Sequence, residues 1–181
     1  MEPPQQNSWA ELIRFAIIAI LIIVPIRLFI AQPFIVSGAS MDPTFKNSDY
    51  LIVDELSYYL RSPNRGEVVV FRYPIDPKKY FIKRVVGLPG ETVIIKNSTV
   101  SVANQAGEVL VIDEPYITNQ TIPNLTTTLS ANQYFVMGDN REASFDSRRF
   151  GAVNEDLIRG RALIRVLPLS NLGILPGYFN N

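Results

Sequence analysis

The chain of 181 residues contains neither cysteine nor histidine. The absence of cysteine excludes disulfides, thiolate nucleophiles and cysteine-based metal sites. The absence of histidine removes the imidazole base of most serine hydrolases and leaves zinc only carboxylate ligands, so we expect neither a metal nor a cofactor. A hydrolase built from this sequence therefore needs another base, and lysine is the leading candidate.

Charge gives no indication of a charged partner. Lys+Arg and Asp+Glu both number 17, and like charges never run to five or six residues. The composition therefore gives no argument for nucleic acid or for an acidic substrate. The length suits one membrane anchor plus one domain, or a domain with an insertion.

A long apolar stretch at residues 12–31 follows a short N-terminal segment at residues 1–11. Its length is about the 20 residues that a helix needs to cross the hydrocarbon core of a bilayer. Arg14 and Arg27 lie near its two ends, where long side chains can reach the headgroups, and Pro25 should kink the helix. We therefore predict a transmembrane helix over residues 12–31.

Two other interpretations of this stretch are weaker. A buried core helix is disfavoured because the stretch has no polar face. A cleaved signal peptide is disfavoured because residues 1–11 hold no basic residue, and Phe29 is too large for the −3 position of a cleavage site.

The rest of the chain predicts a mainly β protein. Segments rich in β-branched and aromatic residues alternate with turns that contain proline, glycine or asparagine. The expected strands are residues 50–53, 67–73, 80–86, 91–96, 133–137 and 161–166, and the expected short helices are residues 54–60 and 154–158. Between residues 92 and 131 the composition shifts toward Thr, Asn and Gln, and no residue there suggests chemistry. We predict an inserted β subdomain in this region.

Ser40 lies in a turn-prone segment, residues 37–44, nine positions past the apolar stretch. Gly38 allows the backbone to pass close to a ligand, and Pro43 stiffens the exit. Taken alone, a small polar residue at such a place is more often part of a linker than a nucleophile.

Lys83 strengthens the case for catalysis. In the predicted strand 80–86 it shares a face with Phe81 and Val85. Burial against apolar neighbours lowers the pKa of an amine from about 10.4, and a depression of about three units would let it take a proton from serine near pH 7. The competing interpretation is an exposed edge-strand pair of Lys83 and Arg84.

A third candidate segment, residues 138–148, reads GDNREASFDSR and directly follows an apolar strand. It is either a solvated hairpin loop or a support for the site. In the second case a hydroxyl would orient the lysine amine, and Asp–Arg pairs would fix the loop.

Together, in this order, these segments resemble the type I signal peptidases, which are membrane-bound Ser–Lys proteases. The resemblance runs from the apolar stretch to about Gly173. It implies a mainly β fold of antiparallel sheets in a signal-peptidase/LexA-like catalytic core, preceded by one transmembrane helix. The implied parts are a cytoplasmic tail at 1–11, the anchor at 12–31, the core at 32–91 and 132–173, the insertion at 92–131 and a C-terminal tail at 174–181.

The resemblance also implies roles in catalysis. Ser40 corresponds to the nucleophile, Lys83 to the general base and Ser144 to the serine that hydrogen-bonds the lysine amine. Some members of the family have an oxyanion-hole serine two positions before the nucleophile, where this chain has Gly38. The oxyanion donors would then be the Ser40 N–H and a second group that remains open.

Further residues are implied to support the site or to contact the substrate. The supporting salt bridges would be Arg84 with Asp139 and Asp146 with Arg148. Substrate contacts would come from Met41, Phe81 and Ile82.

The implied activity is cleavage of signal peptides from exported preproteins after a small P1 residue, at an Ala-x-Ala-like site, through an acyl-enzyme. The implied partners are those signal peptides and the lipid bilayer, and the implied location is the bacterial plasma membrane, with the N-terminus cytoplasmic and the catalytic domain outside. A self-cleaving protease of the repressor type and an inactive, membrane-tethered β domain are the alternatives.

Overall fold

The computed structural model describes residues 8–25, 31–117 and 122–179. Within these residues the protein is mainly β, as the sequence predicts. Its helices are α1 (Ser8–Pro25), α2 (Ser57–Leu60) and α3 (Ser147–Phe150). Its strands are β1 (Ala31–Ile35), β2 (Tyr50–Asp54), β3 (Val68–Arg72), β4 (Tyr80–Gly87), β5 (Thr92–Lys96), β6 (Thr99–Ala103), β7 (Val109–Val111), β8 (Leu125–Thr128), β9 (Gln133–Met137), β10 (Val153–Asn154), β11 (Ile158–Leu167) and β12 (Gly173–Ile174).

The N-terminal helix differs from the predicted transmembrane helix over residues 12–31. Helix α1 begins at Ser8 and ends at Pro25, and residues 26–30 lie outside the described part of the chain. The predicted end at Ala31 is wrong, because the backbone of Ala31 pairs with Asp54 in the β1–β2 ladder. In the part of the chain that the structure describes, no helix is both long and apolar enough to cross a membrane.

The larger sheet is antiparallel and carries the order β1-β2-β11-β3-β4-β9-β10, with β12 also pairing with β11. Strand β11 comes late in the chain but lies between β2 and β3. It pairs Ala162 with Val53 on one side and Arg161 with Val69 on the other. This strand therefore joins the β1–β2 ladder to the β3–β4 ladder.

The residues of the predicted insertion form a second sheet, with the order β7-β6-β5-β8. Its buried apolar residues pack with residues of the larger sheet in one cluster: Val86, Val93, Ile95, Val100, Val102, Ile112, Ile122, Leu129, Phe135 and Met137. The second sheet therefore packs against β4, which carries Lys83, and against β9, which leads into the 138–148 segment.

The predicted helices are shorter in the structure. Residues 57–60 form α2, and residues 155–157 form a single 3₁₀ turn. Helix α3 was not predicted, and it begins where the Asp146 carboxylate accepts a hydrogen bond from the Arg148 N–H. Asp is a favoured residue at this position because its oxygens satisfy the free N–H groups of a first turn.

Candidate active site

Ser40 lies in the turn that follows β1, and its neighbours fix that turn to the core. Met41 and Phe45 are fully buried and pack in one cluster with Val36 and Leu51. The Phe45 N–H donates to the Met41 carbonyl at 2.9 Å, and the Asn140 N–H donates to the Ser40 carbonyl at 3.1 Å. The turn that carries Ser40 is therefore fixed by the apolar packing of Met41 and Phe45 and by the backbone hydrogen bond from Asn140.

Lys83 reaches Ser40 from the middle of β4. Its Nζ lies 2.6 Å from Ser40 Oγ and donates a second hydrogen bond to the Ile82 carbonyl at 2.8 Å. The Lys83 side chain is buried, and its amine lies 5.5 Å from the centre of the Phe81 ring. The Lys83 amine therefore lies within hydrogen-bond distance of the Ser40 hydroxyl, as proton transfer between these two groups requires.

Burial lowers the pKa of Lys83 from 10.5 to about 8, while the carboxylates of Asp146 and Asp139 oppose that change. This fall is somewhat smaller than the depression of about three units that a base near pH 7 was argued to need, because the two carboxylates stabilise the charged amine. At pH 7 about one amine in ten is then neutral. A neutral amine is able to accept a proton from a neighbouring hydroxyl.

Ser144 is buried and forms no hydrogen bond with Lys83 among the described residues, and its hydroxyl instead helps to hold the pKa of Asp146 below its ordinary range. It packs against Gly138, where an added Cβ would overlap both Ser144 Oγ and the Ser40 carbonyl oxygen. Only glycine lets the 138–148 segment pass this close to the serine turn. The predicted contact between Ser144 and the lysine amine stays a prediction.

Arg84 and Asp139 form a fully buried ion pair. Arg84 Nε donates to Asp139 Oδ1 at 2.8 Å, and Arg84 Nη2 donates to Asp139 Oδ2 at 2.5 Å. Thr44 Oγ1 also donates to Asp139 Oδ2 at 2.5 Å. A pairing through two hydrogen bonds fixes the orientation of both side chains. Because Asp139 binds Arg84 on one side and Thr44 on the other, it connects the strand of Lys83 with the turn of Ser40.

Asp146 and Arg148 form the second predicted pair. Arg148 Nε and Nη2 donate to the two Asp146 oxygens at 2.8 and 2.7 Å, and the Gly138 N–H donates to Oδ2 at 3.0 Å. Burial acts to raise the pKa of Asp146, but Arg148 and the Gly138 N–H outweigh it and hold that pKa below its ordinary range. Asp146 therefore stays ionised and ties the two ends of the 138–146 loop together.

A groove of about 280 Å³ opens beside the pair, between the end of β1 and the start of β4. Its lining is largely apolar and includes Phe34, Val36, Leu51, Val70, Tyr80, Phe81, Ile82 and Phe145, together with Ser40 and Lys83. Phe81 and Ile82, expected to contact substrate, line this groove. Met41 lies in the core beneath the turn instead.

Several residues of the site had no assigned role in the sequence. Glu114 accepts hydrogen bonds from both terminal nitrogens of Arg141, whose Nε donates to the Gly138 carbonyl at 3.1 Å. Tyr116 lies flat against Arg84, with its ring centre 4.0 Å from the guanidinium carbon. The sequence suggested no chemistry for the 92–131 region, and the structure adds a supporting role there: Glu114 holds Arg141 of the loop, and Tyr116 packs on Arg84 of the ion pair. Glu114 and Tyr116 lie far along the chain from Arg141 and Arg84, so no local sequence pattern indicates these contacts.

Comparison with known proteins points in one direction. A family model described as signal peptidase, peptidase S26, matches residues 9–167. The probable signal peptidase I-2 of Synechocystis sp. is 36% identical over 96% of this chain and 80% of its own length. Signal peptidase IB of Staphylococcus aureus is 33% identical over 84% of this chain and 86% of its own length. A solved signal peptidase I from Enterococcus faecalis is 28% identical, with a TM-score of 0.48, over 56% of this chain and 97% of that one.

Proposed function

The chain belongs to the signal peptidase I family, peptidase S26, and from this premise we propose that Ser40 and Lys83 are its catalytic nucleophile and general base. The observation that carries the proposal is the 2.6 Å distance between Lys83 Nζ and Ser40 Oγ. The lowered pKa of the buried amine supports it. With no histidine or cysteine in the chain, these two side chains supply the needed base and nucleophile.

In this mechanism neutral Lys83 accepts the Ser40 hydroxyl proton while the serine oxygen attacks the scissile carbonyl. The Lys83 ammonium then protonates the leaving amine, which gives an acyl-enzyme and restores the neutral base. Lys83 next takes a proton from water as the water oxygen attacks the ester. The Lys83 ammonium then returns this proton to Ser40 Oγ as the ester bond breaks, which restores the serine hydroxyl and the neutral amine. The Ile82 carbonyl keeps one N–H of the amine occupied and so points the lone pair toward Ser40.

The Ser40 N–H is our first candidate for an oxyanion donor. The Gly38 N–H is not available for this role, because it donates to Asn47 Oδ1 at 2.9 Å. Gly38 has φ of 93°, and an added Cβ there would meet open space. The open space leaves room for water as the second donor, which replaces the missing serine hydroxyl at this position.

The substrate enters the groove as an extended strand, with its small P1 and P3 side chains against the apolar lining. Strand β4 pairs with β9 only from Arg84 onward, so residues 80–83 keep one backbone edge free of strand partners in the described residues. A peptide can add to such an edge through main-chain hydrogen bonds. An Ala-x-Ala-like site suits a groove of this size, and signal peptides of exported preproteins are the substrates that we infer.

Helix α1 is the segment that we propose for contact with the lipid bilayer. Its large apolar side chains are exposed along the helix, with Phe15 at 73% and Leu21 at 68%. A face of this kind is unfavourable in water and favourable in hydrocarbon. The proposed topology is a single-pass protein of the bacterial plasma membrane, with residues 1–11 cytoplasmic and the catalytic domain outside.

The test is cleavage of a purified preprotein with an Ala-x-Ala site by the full chain in detergent. Ser40→Ala and Lys83→Ala should leave the preprotein uncut, while Lys79→Ala, an exposed lysine near the start of the same strand, serves as the matched control. Product at the parent rate from either dyad variant refutes the mechanism. An unchanged rate of cleavage after replacement of the P1 alanine by a bulky residue refutes the proposed specificity.

A further inference from the structure

The C-terminal segment, residues 175–179, packs against the Arg84–Asp139 pair. It lies beyond the residues matched by the family model, which end at 167. The Leu175 N–H donates to the Leu163 carbonyl at 2.6 Å and so joins the segment to β11. Gly177 O then accepts a hydrogen bond from Arg84 Nη1, and the Phe179 ring lies 5.2 Å from the guanidinium carbon.

The segment completes the surroundings of a buried cation. Two nitrogens of Arg84 go to Asp139, and Nη1 donates to the Gly66 carbonyl at 2.9 Å as well as to Gly177 O. The Phe179 ring packs on the Tyr116 ring at 4.9 Å, and both rings lie beside the guanidinium. Removing the segment would therefore take away one acceptor and one aromatic neighbour, and leave a buried N–H group less well satisfied.

The C-terminal segment packs so closely that no side chain fits at Gly177 or at Gly66 without a shift of its neighbours. An added Cβ on Gly177, whose φ is 75°, would overlap Thr44 Cγ2 and lie 3.3 Å from Arg84 Nη2. An added Cβ on Gly66 would overlap the Phe179 carbonyl oxygen. The segment thus touches Arg84 directly and touches Thr44, which donates to Asp139.

One member of the ion pair is next to Lys83 in the chain, and the other lies between two residues that contact the Ser40 carbonyl. Arg84 follows Lys83, and Asp139 lies between Gly138, which packs against the Ser40 carbonyl, and Asn140, which donates to it. A displacement of Arg84 or Asp139 therefore moves the strand and the loop that bring Lys83 to Ser40.

We propose that residues 175–179 form a positioning segment in which the Gly177 carbonyl and the Phe179 ring hold Arg84 against Asp139 and thereby set the geometry of the Ser40–Lys83 pair. The proposal rests on the Ser–Lys mechanism above. It assigns to this tail a part in catalysis without contact with the substrate.

The test compares Phe179→Ala, a chain ending at Leu175 and the control Tyr178→Ala, whose side chain is exposed. We expect kcat to fall about tenfold in the first two, with little change in KM, because displacement of catalytic groups by a fraction of an ångström has effects of this size. We also expect the acid limb of kcat/KM to move up by about half a pH unit. A loosened Arg84 compensates Asp139 less, and the freer carboxylate stabilises the Lys83 ammonium.

Parent-like kcat and an unmoved acid limb in Phe179→Ala would overturn the proposal, and so would a fall in kcat with no change in the pH profile. An equal loss in Tyr178→Ala would overturn it as well. If the shortened chain does not fold, Phe179→Ala, which keeps the Gly177 carbonyl, decides the matter alone. Ser40→Ala is assayed alongside: cleavage by that variant refutes the dyad, whereas tail variants that match an active, Ser40-dependent parent refute only the positioning segment.

Discussion

Replacing Lys83 by methionine should abolish cleavage and still make the folded protein more stable at pH 7. Methionine keeps an unbranched side chain of similar length without the charge. In the parent protein burial lowers the pKa of Lys83 to about 8 from 10.5. The amine is therefore mostly protonated at pH 7 in both the folded and the unfolded chain, and the folded chain carries a charge that its surroundings disfavour.

The size of the effect follows from the difference in pKa between the folded and the unfolded chain. A tenfold change in the acid dissociation constant corresponds to about 1.4 kcal/mol, so the buried ammonium lowers the free energy of unfolding by about 3 kcal/mol below pH 8. Methionine removes this cost but leaves the Ile82 carbonyl and the Ser40 hydroxyl without the amine, at about 1 kcal/mol each. The net gain at pH 7 is then about 1 kcal/mol.

The sign of the difference depends on pH. Because the folded pKa is lowered, the parent gains stability between about pH 8 and pH 10.5, as the unfolded chain holds a proton that the folded chain has lost. The methionine variant lacks this gain. Lys83→Met should therefore be the more stable protein at pH 7 and the less stable one near pH 10.5.

Urea unfolding at pH 7 and near pH 10 measures this change directly. Both chains keep Ser40, and all other titrating groups cancel in the difference. A methionine variant that is less stable by the same amount at both values of pH would refute the reasoning, since the amine would then carry no burial cost.

Three further predictions concern activity. The acid limb of kcat/KM should lie near pH 8 in the parent, as the pKa of Lys83 implies, and activity that is flat from pH 6 to 8 would exclude this amine as the base. Gly138→Ala should lower kcat strongly and cost about 1–3 kcal/mol of stability, because its Cβ overlaps Ser40 O and Ser144 Oγ; a parent-like kcat would show that the loop can move. Ser144→Ala should lower kcat with little change in the unfolding temperature, since Arg148 and the Gly138 N–H hold Asp146 more strongly than the Ser144 hydroxyl does, and an unchanged kcat would remove Ser144 from the mechanism.

The proposed Ser40–Lys83 pair was accessible from the sequence because its signals are local. Strand alternation places Lys83 on an apolar face, and the absence of histidine turns attention to lysine. The strand extents from β2 to β4 agree with the structure to within two residues at each end. Strand β1 was missed because it follows the apolar stretch directly and contains Pro33, a residue that is uncommon inside strands.

The supports of the site could not be predicted in the same way. Arg141 and Glu114 are 27 residues apart, and Gly177 lies 93 residues from Arg84. Contacts over such separations depend on the closed fold, and no spacing or composition marks them in advance. The C-terminal residues illustrate this, because only the packing of the folded chain connects them with the ion pair.

The late position of β11 has a consequence for when the enzyme becomes able to cut. Ser40 lies between β1 and β2, and Lys83 lies on β4, so the proposed nucleophile and base belong to two separate ladders, which in the described sheet meet through residues 158–167. A nascent chain that has emerged only as far as Lys83, or even Ser144, still lacks the strand that brings the two together. Proteolytic activity should therefore appear as a final event of synthesis, so that no unfinished chain can attack its neighbours.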